Sequence, residues 1–243
     1  MLPVIEPSAK FEDVKIRLRE PVHGLTEVSG VLGIPEWWPT GSRVAVAIAH
    51  GANIRYDDPL LVHIHRELTE RKLLTLRFNF PFAEAGKRAS ADSQEVLEAT
   101  FKAAISELAR DPTAAPAHLF LGGVGLGGKI AAGMATAPLR LDGLFFLGYP
   151  LHPQDKPDQP DADHLYRIIS PMLFVQGTRD RACNVDVLKS ALHRVGAPTR
   201  LHLLEEADAN LHVTKKSGIE ASAVHAAVLE SLSGWIQSLL DPS

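Results

Sequence analysis

The chain has 243 residues, of which 45% are hydrophobic and 22% charged, as in an ordinary globular protein. Its formal net charge is −4 and its 25 basic residues are scattered, which argues against a nucleic-acid-binding surface or attraction to anionic lipid. A single cysteine, Cys183, is typical of a reducing compartment, the N-terminus has no secretory pattern, and no apolar run reaches the ~18 residues of a membrane span. We therefore expect a cytoplasmic protein with no membrane or nucleic-acid partner, and the sequence carries no signal for an oligomeric state.

Short apolar segments alternate with helical patterns along the chain. Two β-rich segments come first, and the Pro21 and Gly24 that separate them predict an antiparallel pair. The predicted strands cover residues 14–20, 26–35, 43–51, 73–80, 118–123, 141–150, 171–177 and 199–207. The predicted helices cover residues 59–72, 92–110, 127–137, 185–196 and 219–240, the first of them capped by Asp57–Asp58–Pro59.

This alternation predicts an α/β fold in which a mostly parallel central sheet is covered by helices on both faces. The expected architecture is a three-layer sandwich formed by a single domain over residues 1–243. The Pro-rich stretch at 152–163 is too short to separate two domains. It follows a predicted strand, a position where binding loops and lids often lie.

The stretch LGGVGLGGKI at 121–130 fits three glycine motifs. As a phosphate-binding loop running from Gly123 to Lys129 it fails, because Ile130 stands where a Ser or Thr would hold magnesium. As a dinucleotide fingerprint it lies in the third βα unit instead of the first, and the next strand does not end in an acidic residue. The third motif is the nucleophile elbow of hydrolases, G-x-S-x-G, with Gly125 in the place of the serine.

A nucleophile elbow requires further functional positions elsewhere in the chain, and the sequence provides most of them. Residues 48–59 form a turn after an earlier strand that can supply an oxyanion-hole N–H group. Asp180 lies just beyond a later strand, where the triad acid is expected, and the loop at 205–216 stands where a histidine should follow.

At these positions the sequence resembles the dienelactone-hydrolase-like α/β-hydrolases, in the subgroup around testis-expressed protein 30 and its bacterial relatives. The segments that carry the resemblance are AHGA at 49–52, RFNFPFAEAGKR at 77–88, LGGVGLGGK at 121–129, FLGYPLHPQDKPDQ at 146–159, FVQGTRDRAC at 174–183 and EADANLHVTKKSG at 206–218. The resemblance implies the α/β-hydrolase fold, with the two N-terminal strands antiparallel to the rest of the sheet. It also implies a Ser-His-Asp triad in which Gly125 replaces the serine, Ala209 replaces the histidine, and Asp180 alone remains.

Glycine and alanine cannot perform nucleophilic attack or proton transfer. What remains is a set of backbone N–H donors near Ala52 and Leu126, beside His50 and Gly51, which suits a small anionic or acyl ligand. The first hypothesis is therefore a non-catalytic binding or regulatory protein that needs no cofactor and no metal. The second is an atypical hydrolase of esters, thioesters or lactones in which a displaced His212 acts with Asp180. The third is a nucleotide-binding protein or another enzyme.

Overall fold

The computed structural model describes residues 9–37, 43–110, 115–135 and 139–241, and within them eight strands form one sheet. The strands are β1 (Lys10–Val22), β2 (Leu25–Ile34), β3 (Val44–Ala49), β4 (Leu74–Phe78), β5 (His118–Val124), β6 (Gly143–Leu147), β7 (Met172–Gly177) and β8 (Thr199–Leu204). Their order across the sheet is β1-β2-β4-β3-β5-β6-β7-β8. β1 and β2 are antiparallel to each other and β2 is antiparallel to β4, whereas the other neighbouring pairs are parallel. The predicted sheet is confirmed.

Helices α1 to α5 lie between parallel strands and α6 follows the last strand: α1 (Pro59–Glu70), α2 (Pro81–Glu84), α3 (Gln94–Leu108), α4 (Leu126–Met134), α5 (Val185–Leu192) and α6 (Ala221–Leu240). The predicted cap of α1 is present, since the Asp58 carboxylate accepts a hydrogen bond from the Leu60 N–H at 3.0 Å and a proline opens the helix. The short α2 was not predicted, and residues 136–137 of the helix predicted at 127–137 lie outside the described residues. No helix in the described ranges has the length and apolarity to span a bilayer.

Successive side chains of β3 enter two different hydrophobic cores because strand side chains alternate between the faces of a sheet. Val44, Val46 and Ile48 pack with side chains of α1 and α6. Ala45 and Ala47, on the other face, belong to the core that includes α3, α4 and α5. Each aliphatic side chain that is fully buried contributes about 1.5–3 kcal/mol to folding. Helices therefore cover both faces, which confirms the three-layer α/β-hydrolase architecture.

The carboxyl ends of four adjacent parallel strands meet at one edge of the sheet. β3, β5, β6 and β7 end there at Ala49, Val124, Leu147 and Gly177, and the loops after them share this edge. Ligands of open α/β sheets bind outside the carboxyl ends of the strands. The sheet thus brings together the positions that the sequence singles out.

Candidate functional site

The turn between β5 and α4 has the backbone of a nucleophile elbow. Gly125 takes φ 50° and ψ −109°, a left-handed conformation that glycine tolerates readily, and its N–H group donates to the Leu147 carbonyl at 2.9 Å. The turn is packed tightly, since a Cβ atom at Gly123 would lie 2.1 Å, and one at Gly127 2.6 Å, from the Ala49 carbonyl oxygen. At Gly125 itself the nearest atom to an added Cβ is 3.9 Å away, so the position has room for a side chain.

The loop that carries Ala209 crosses the ends of β6 and β7. The Arg179 N–H group donates to the Ala207 carbonyl at 2.9 Å. Gly148, which follows β6, lies so close to Ala209 that an added Cβ would be 2.1 Å from its carbonyl oxygen. Because the carbonyl oxygen of Gly148 is also the nearest atom to a side chain at Gly125, the two positions at which the sequence predicts a missing serine and a missing histidine, Gly125 and Ala209, both adjoin Gly148.

Asp180 is 7% exposed, and both its carboxylate oxygens are occupied. Oδ1 accepts from the Ala182 N–H at 2.7 Å, and Oδ2 accepts from the Gln176 amide Nε2 at 2.8 Å. Burial raises the pKa of the Asp180 carboxyl, against the opposing effect of these two hydrogen bonds. Gln176 also accepts from the Tyr149 N–H at 2.8 Å and so joins the ends of β6 and β7. No sequence pattern marked Gln176 as a partner of the acid.

His212 does not pair with Asp180 in this structure, contrary to the arrangement that the second hypothesis requires. Its Nε2 lies 3.5 Å from the Oδ2 atom of Asp58, the residue that caps α1. This contact with Asp58 raises the pKa of the His212 imidazole. Its backbone N–H is held as well, by Asp208 Oδ1 at 2.9 Å. The imidazole therefore joins the late loop to the first helix instead of replacing the missing histidine.

His50 is a structural residue rather than the pocket wall that the sequence suggested. It is fully buried, its Nδ1–H group donates to the Gly51 carbonyl at 2.7 Å, and its Nε2 accepts from the Phe80 N–H at 3.0 Å. Burial lowers the pKa of His50 to about 4. With both ring nitrogens bonded to backbone, the neutral imidazole connects the loops after β3 and β4 and has no atom free for a ligand. Gly51 is buried beside it, with the side chains of Asn210 and Val124 3.4 Å from the position of an added Cβ.

We expect His50 to make stability fall in acid. An unfolded chain protonates this imidazole near its ordinary pKa of 6.5, whereas the folded protein keeps it neutral down to about 4. The stabilisation is complete above 6.5 and is lost as the pH falls towards 4, by up to about 3 kcal/mol. Denaturant unfolding should therefore show the stability difference between wild type and His50→Gln shrinking from pH 7.5 to pH 4.5. A pH-independent effect of His50→Gln would contradict this assignment.

A cavity of about 550 Å³ lies beside the elbow and includes both predicted oxyanion positions, Ala52 and Leu126. The Ala52 N–H group donates no hydrogen bond to any described residue. Leu126 is the first residue of α4, so its N–H group has no acceptor within the helix. The other lining residues are Ala89, Ser90, Asp92, Gln94, Leu97, Lys129, Ile130, Gly133, Asp161 and His164. The cavity therefore combines backbone donors with apolar side chains and a few charged groups.

The charged wall of this cavity forms a chain of four side chains that reaches into the segment after β6. The Lys129 ammonium donates to Asp161 Oδ2 at 2.7 Å, and Asp161 Oδ1 lies 3.5 Å from Nδ1 of His164. The other ring nitrogen of His164 is hydrogen-bonded to the Tyr149 hydroxyl. The bond to Lys129 lowers the pKa of Asp161, whereas burial raises the pKa of Tyr149. These contacts hold the end of the 152–163 stretch at the cavity.

The cysteine thiol does not offer a substitute nucleophile. Cys183 is 4% exposed, and burial raises its pKa to about 12, so it is a thiol and not a thiolate at neutral pH.

Among the described residues no group of three or more His, Cys, Asp or Glu side chains is placed to hold a metal ion.

Comparison with known proteins agrees with this geometry. A sequence model described as an alpha/beta hydrolase domain matches residues 42–237. The fold is similar to that of a dienelactone hydrolase from Anabaena variabilis, with a TM-score of 0.70 and 19% identity over 95% of this chain and 98% of that one. It is also similar to an alpha-beta serine hydrolase homologue from Coxiella burnetii (TM-score 0.68, 18% identity, 91% and 97% covered) and to Est1E from Butyrivibrio proteoclasticus (0.65, 14%, 91% and 99%). The chain belongs to the alpha/beta hydrolase family.

Proposed function

We propose that this chain is a non-catalytic binding or regulatory member of its family, which accepts a small anionic or acyl ligand in the cavity beside Ala52 and Leu126. The observation that carries the proposal is Gly125: it occupies the bend of the elbow, with room for a side chain, and has none. Converging backbone N–H groups at the start of a helix attract anionic or carbonyl oxygens without a side chain. We further infer a cytoplasmic location, in keeping with the lone buried cysteine.

Chemistry of the triad type needs a nucleophile and a base that takes its proton. Ala209 provides no base at the position of the histidine, and His212 is engaged by Asp58. Tyr149 is fully buried, and its hydroxyl is bonded to His164. No observation on these groups favours the atypical hydrolase over the binding protein.

The wild-type protein is therefore expected to be inert. A fluorophosphonate probe should leave it unlabelled, because no activated hydroxyl is present. Turnover of p-nitrophenyl acetate should equal that of an Asp180→Asn variant, since a structural acid contributes nothing to the rate. An active serine esterase of the same fold serves as the positive control in both assays. Labelling of the wild type, or ester turnover well above that of Asp180→Asn, would contradict the proposal.

A further inference from the structure

A second cavity, of about 560 Å³, adjoins the first, and Ala52 and Ala89 line both. Three cationic side chains line this second cavity: Arg55, Lys87 and Arg88. Among the described residues no carboxylate lines it, although the whole chain has a net charge of −4. A concentration of positive charge in an acidic protein is unusual unless it meets an anion.

Two nearby carboxylates, Asp92 and Glu84, are hydrogen-bonded elsewhere and make no direct ion pair with these cations. Asp92 accepts from the Phe82 N–H at 2.8 Å through one oxygen, and its other oxygen lies 2.6 Å from Nε2 of His23. Glu84 accepts from the Asn79 amide and from the Ser29 hydroxyl, at 2.7 Å each. Within the described residues no ion pair joins a carboxylate to any of the three cations.

Two of the three cations are held in position by the protein. One guanidinium nitrogen of Arg55 donates to the Ala83 carbonyl at 2.6 Å, which fixes that side chain between the loops after β3 and β4. Arg55 keeps its other N–H donors for a ligand, since a guanidinium has five. The Lys87 ammonium lies 3.0 Å from Nδ1 of His23, while Arg88 is exposed and its side chain makes no hydrogen bond or ion pair with a described residue.

The first cavity offers the opposite chemistry on its inner wall. Leu97, Leu126 and Ile130 line it with apolar side chains. Its own charged pair, Lys129 and Asp161, is internally neutralised at 2.7 Å. A ligand that spans the two cavities would therefore contact apolar side chains in the first cavity and cationic side chains in the second.

We propose that the two cavities form one site for an amphipathic phosphate monoester, with its alkyl or acyl chain in the first cavity and its phosphate against Arg55, Lys87 and Arg88. This inference rests on the proposed role as a binding protein and names its ligand class. A phosphate monoester carries nearly two negative charges and three strong acceptor oxygens at neutral pH, whereas a carboxylate carries one charge and two oxygens. Three cations that make no direct ion pair with a carboxylate match the phosphate, and arginine forks bind it bidentately.

Isothermal titration calorimetry with the intact protein tests the two halves of the site through the choice of probe. We expect n-octyl phosphate to bind about tenfold more tightly than octanoate, because of its additional charge and acceptor oxygens. We also expect it to bind more tightly than n-butyl phosphate, by roughly two- to fourfold per added methylene that becomes buried. Equal affinity for octanoate would overturn the phosphate half, and affinity independent of chain length would overturn the apolar half.

Substitutions of single cationic residues test where the phosphate group binds. Arg88→Gln and Lys87→Gln should each weaken octyl phosphate binding by about fivefold or more, while leaving the gain from chain length intact. The matched control is Arg200→Gln, an exposed arginine on the distant edge strand β8, which should bind as the wild type does. If Arg200→Gln weakened octyl phosphate binding equally, the protein would attract the phosphate through its general charge. That result would overturn the proposed site.

Two further measurements complete the test. The first distinguishes a phosphate on a single molecule from a phosphate on a membrane surface, and the second distinguishes failure of this proposal from failure of the proposed non-catalytic function. Sedimentation with vesicles of phosphatidate and phosphatidylcholine should leave the protein in the supernatant, and co-sedimentation would mean a bilayer surface in place of an enclosed chain. Octyl phosphate contains no carboxylic ester, so its binding is measured independently of hydrolysis. A protein that fails to bind it yet remains inert towards ester substrates would lose the ligand class proposed here and keep its proposed non-catalytic role.

Discussion

The double variant Gly125→Ser with Ala209→His is expected to react covalently with a fluorophosphonate probe. The serine would occupy the bend of an intact elbow, where nothing lies closer than 3.9 Å to its Cβ. The histidine would stand on the loop that packs against Gly148, the neighbour of that bend. If the Ala52 and Leu126 N–H groups act as oxyanion donors, as proposed, an activated hydroxyl is the remaining component that the reaction needs. The measurement is probe labelling followed by mass spectrometry of the modified peptide.

The single variants are the controls for this experiment. Gly125→Ser alone lacks a base, and Ala209→His alone lacks a nucleophile, so each should label far more weakly than the pair. A serine at φ 50° should also cost about 1–3 kcal/mol of stability, which thermal unfolding would detect. Labelling of the double variant is expected to be slow, because Gln176 already occupies one oxygen of Asp180. A well-folded double variant that stays unlabelled would show that Gly125 or Ala209 does not correspond to a triad position.

Gly148→Ala is expected to destabilise the protein far more than Gly24→Ala. Both glycines have positive φ, 68° and 78°, so an alanine at either should cost roughly 1–2 kcal/mol of backbone strain. Only at Gly148 would the new methyl group collide with backbone, 2.1 Å from the Ala209 carbonyl oxygen; at Gly24 nothing lies within 4 Å. The collision should add about 3 kcal/mol or more, because the loop must move away from the sheet.

Urea unfolding at one pH measures both glycine variants. Subtracting the stability loss of Gly24→Ala from that of Gly148→Ala removes the backbone strain that both variants share. The remainder is the cost of the close contact between Gly148 and the loop that carries Ala209. If the two variants lost the same stability, the contact between Gly148 and the loop would be looser than the structure has it.

The fold could be predicted because its signals are local. Buried-type strands such as that at 43–51 and caps such as Asp58–Pro59 are properties of neighbouring residues. The resemblance supplied the antiparallel N-terminal strands, which the pairing of β2 with β4 confirms. Strand ends shifted by a few residues; β1, for example, was predicted at 14–20 and extends over Lys10–Val22. Pairing with β2 continues past the region of clear alternation, which explains the added length.

The site could be predicted only in its backbone. The bend at Gly125 follows from a strand–turn–helix pattern, but the partners of side chains depend on contacts between distant segments. His212 binds Asp58, 154 positions earlier in the chain, and no spacing rule connects them. His50 stands beside a glycine at a strand end, a position typical of pockets, yet Phe80 holds it in the core. The sequence did not predict the cationic cavity for the same reason, since Arg55 is distant from Lys87 and Arg88 in the chain and lines the same cavity only in the folded protein.

Because of the two hydrogen bonds to Asp180, neither of its carboxylate oxygens depends on an imidazole. A buried carboxylate that depended on an imidazole would be left with an unpaired oxygen once that imidazole was lost, at a cost of a few kcal/mol. Here the amide of Gln176 and the Ala182 N–H already fill that need, so an alanine at position 209 leaves neither oxygen of Asp180 unpaired. An aspartate held in this way is fully accounted for by structure, and its presence alone does not indicate reactivity.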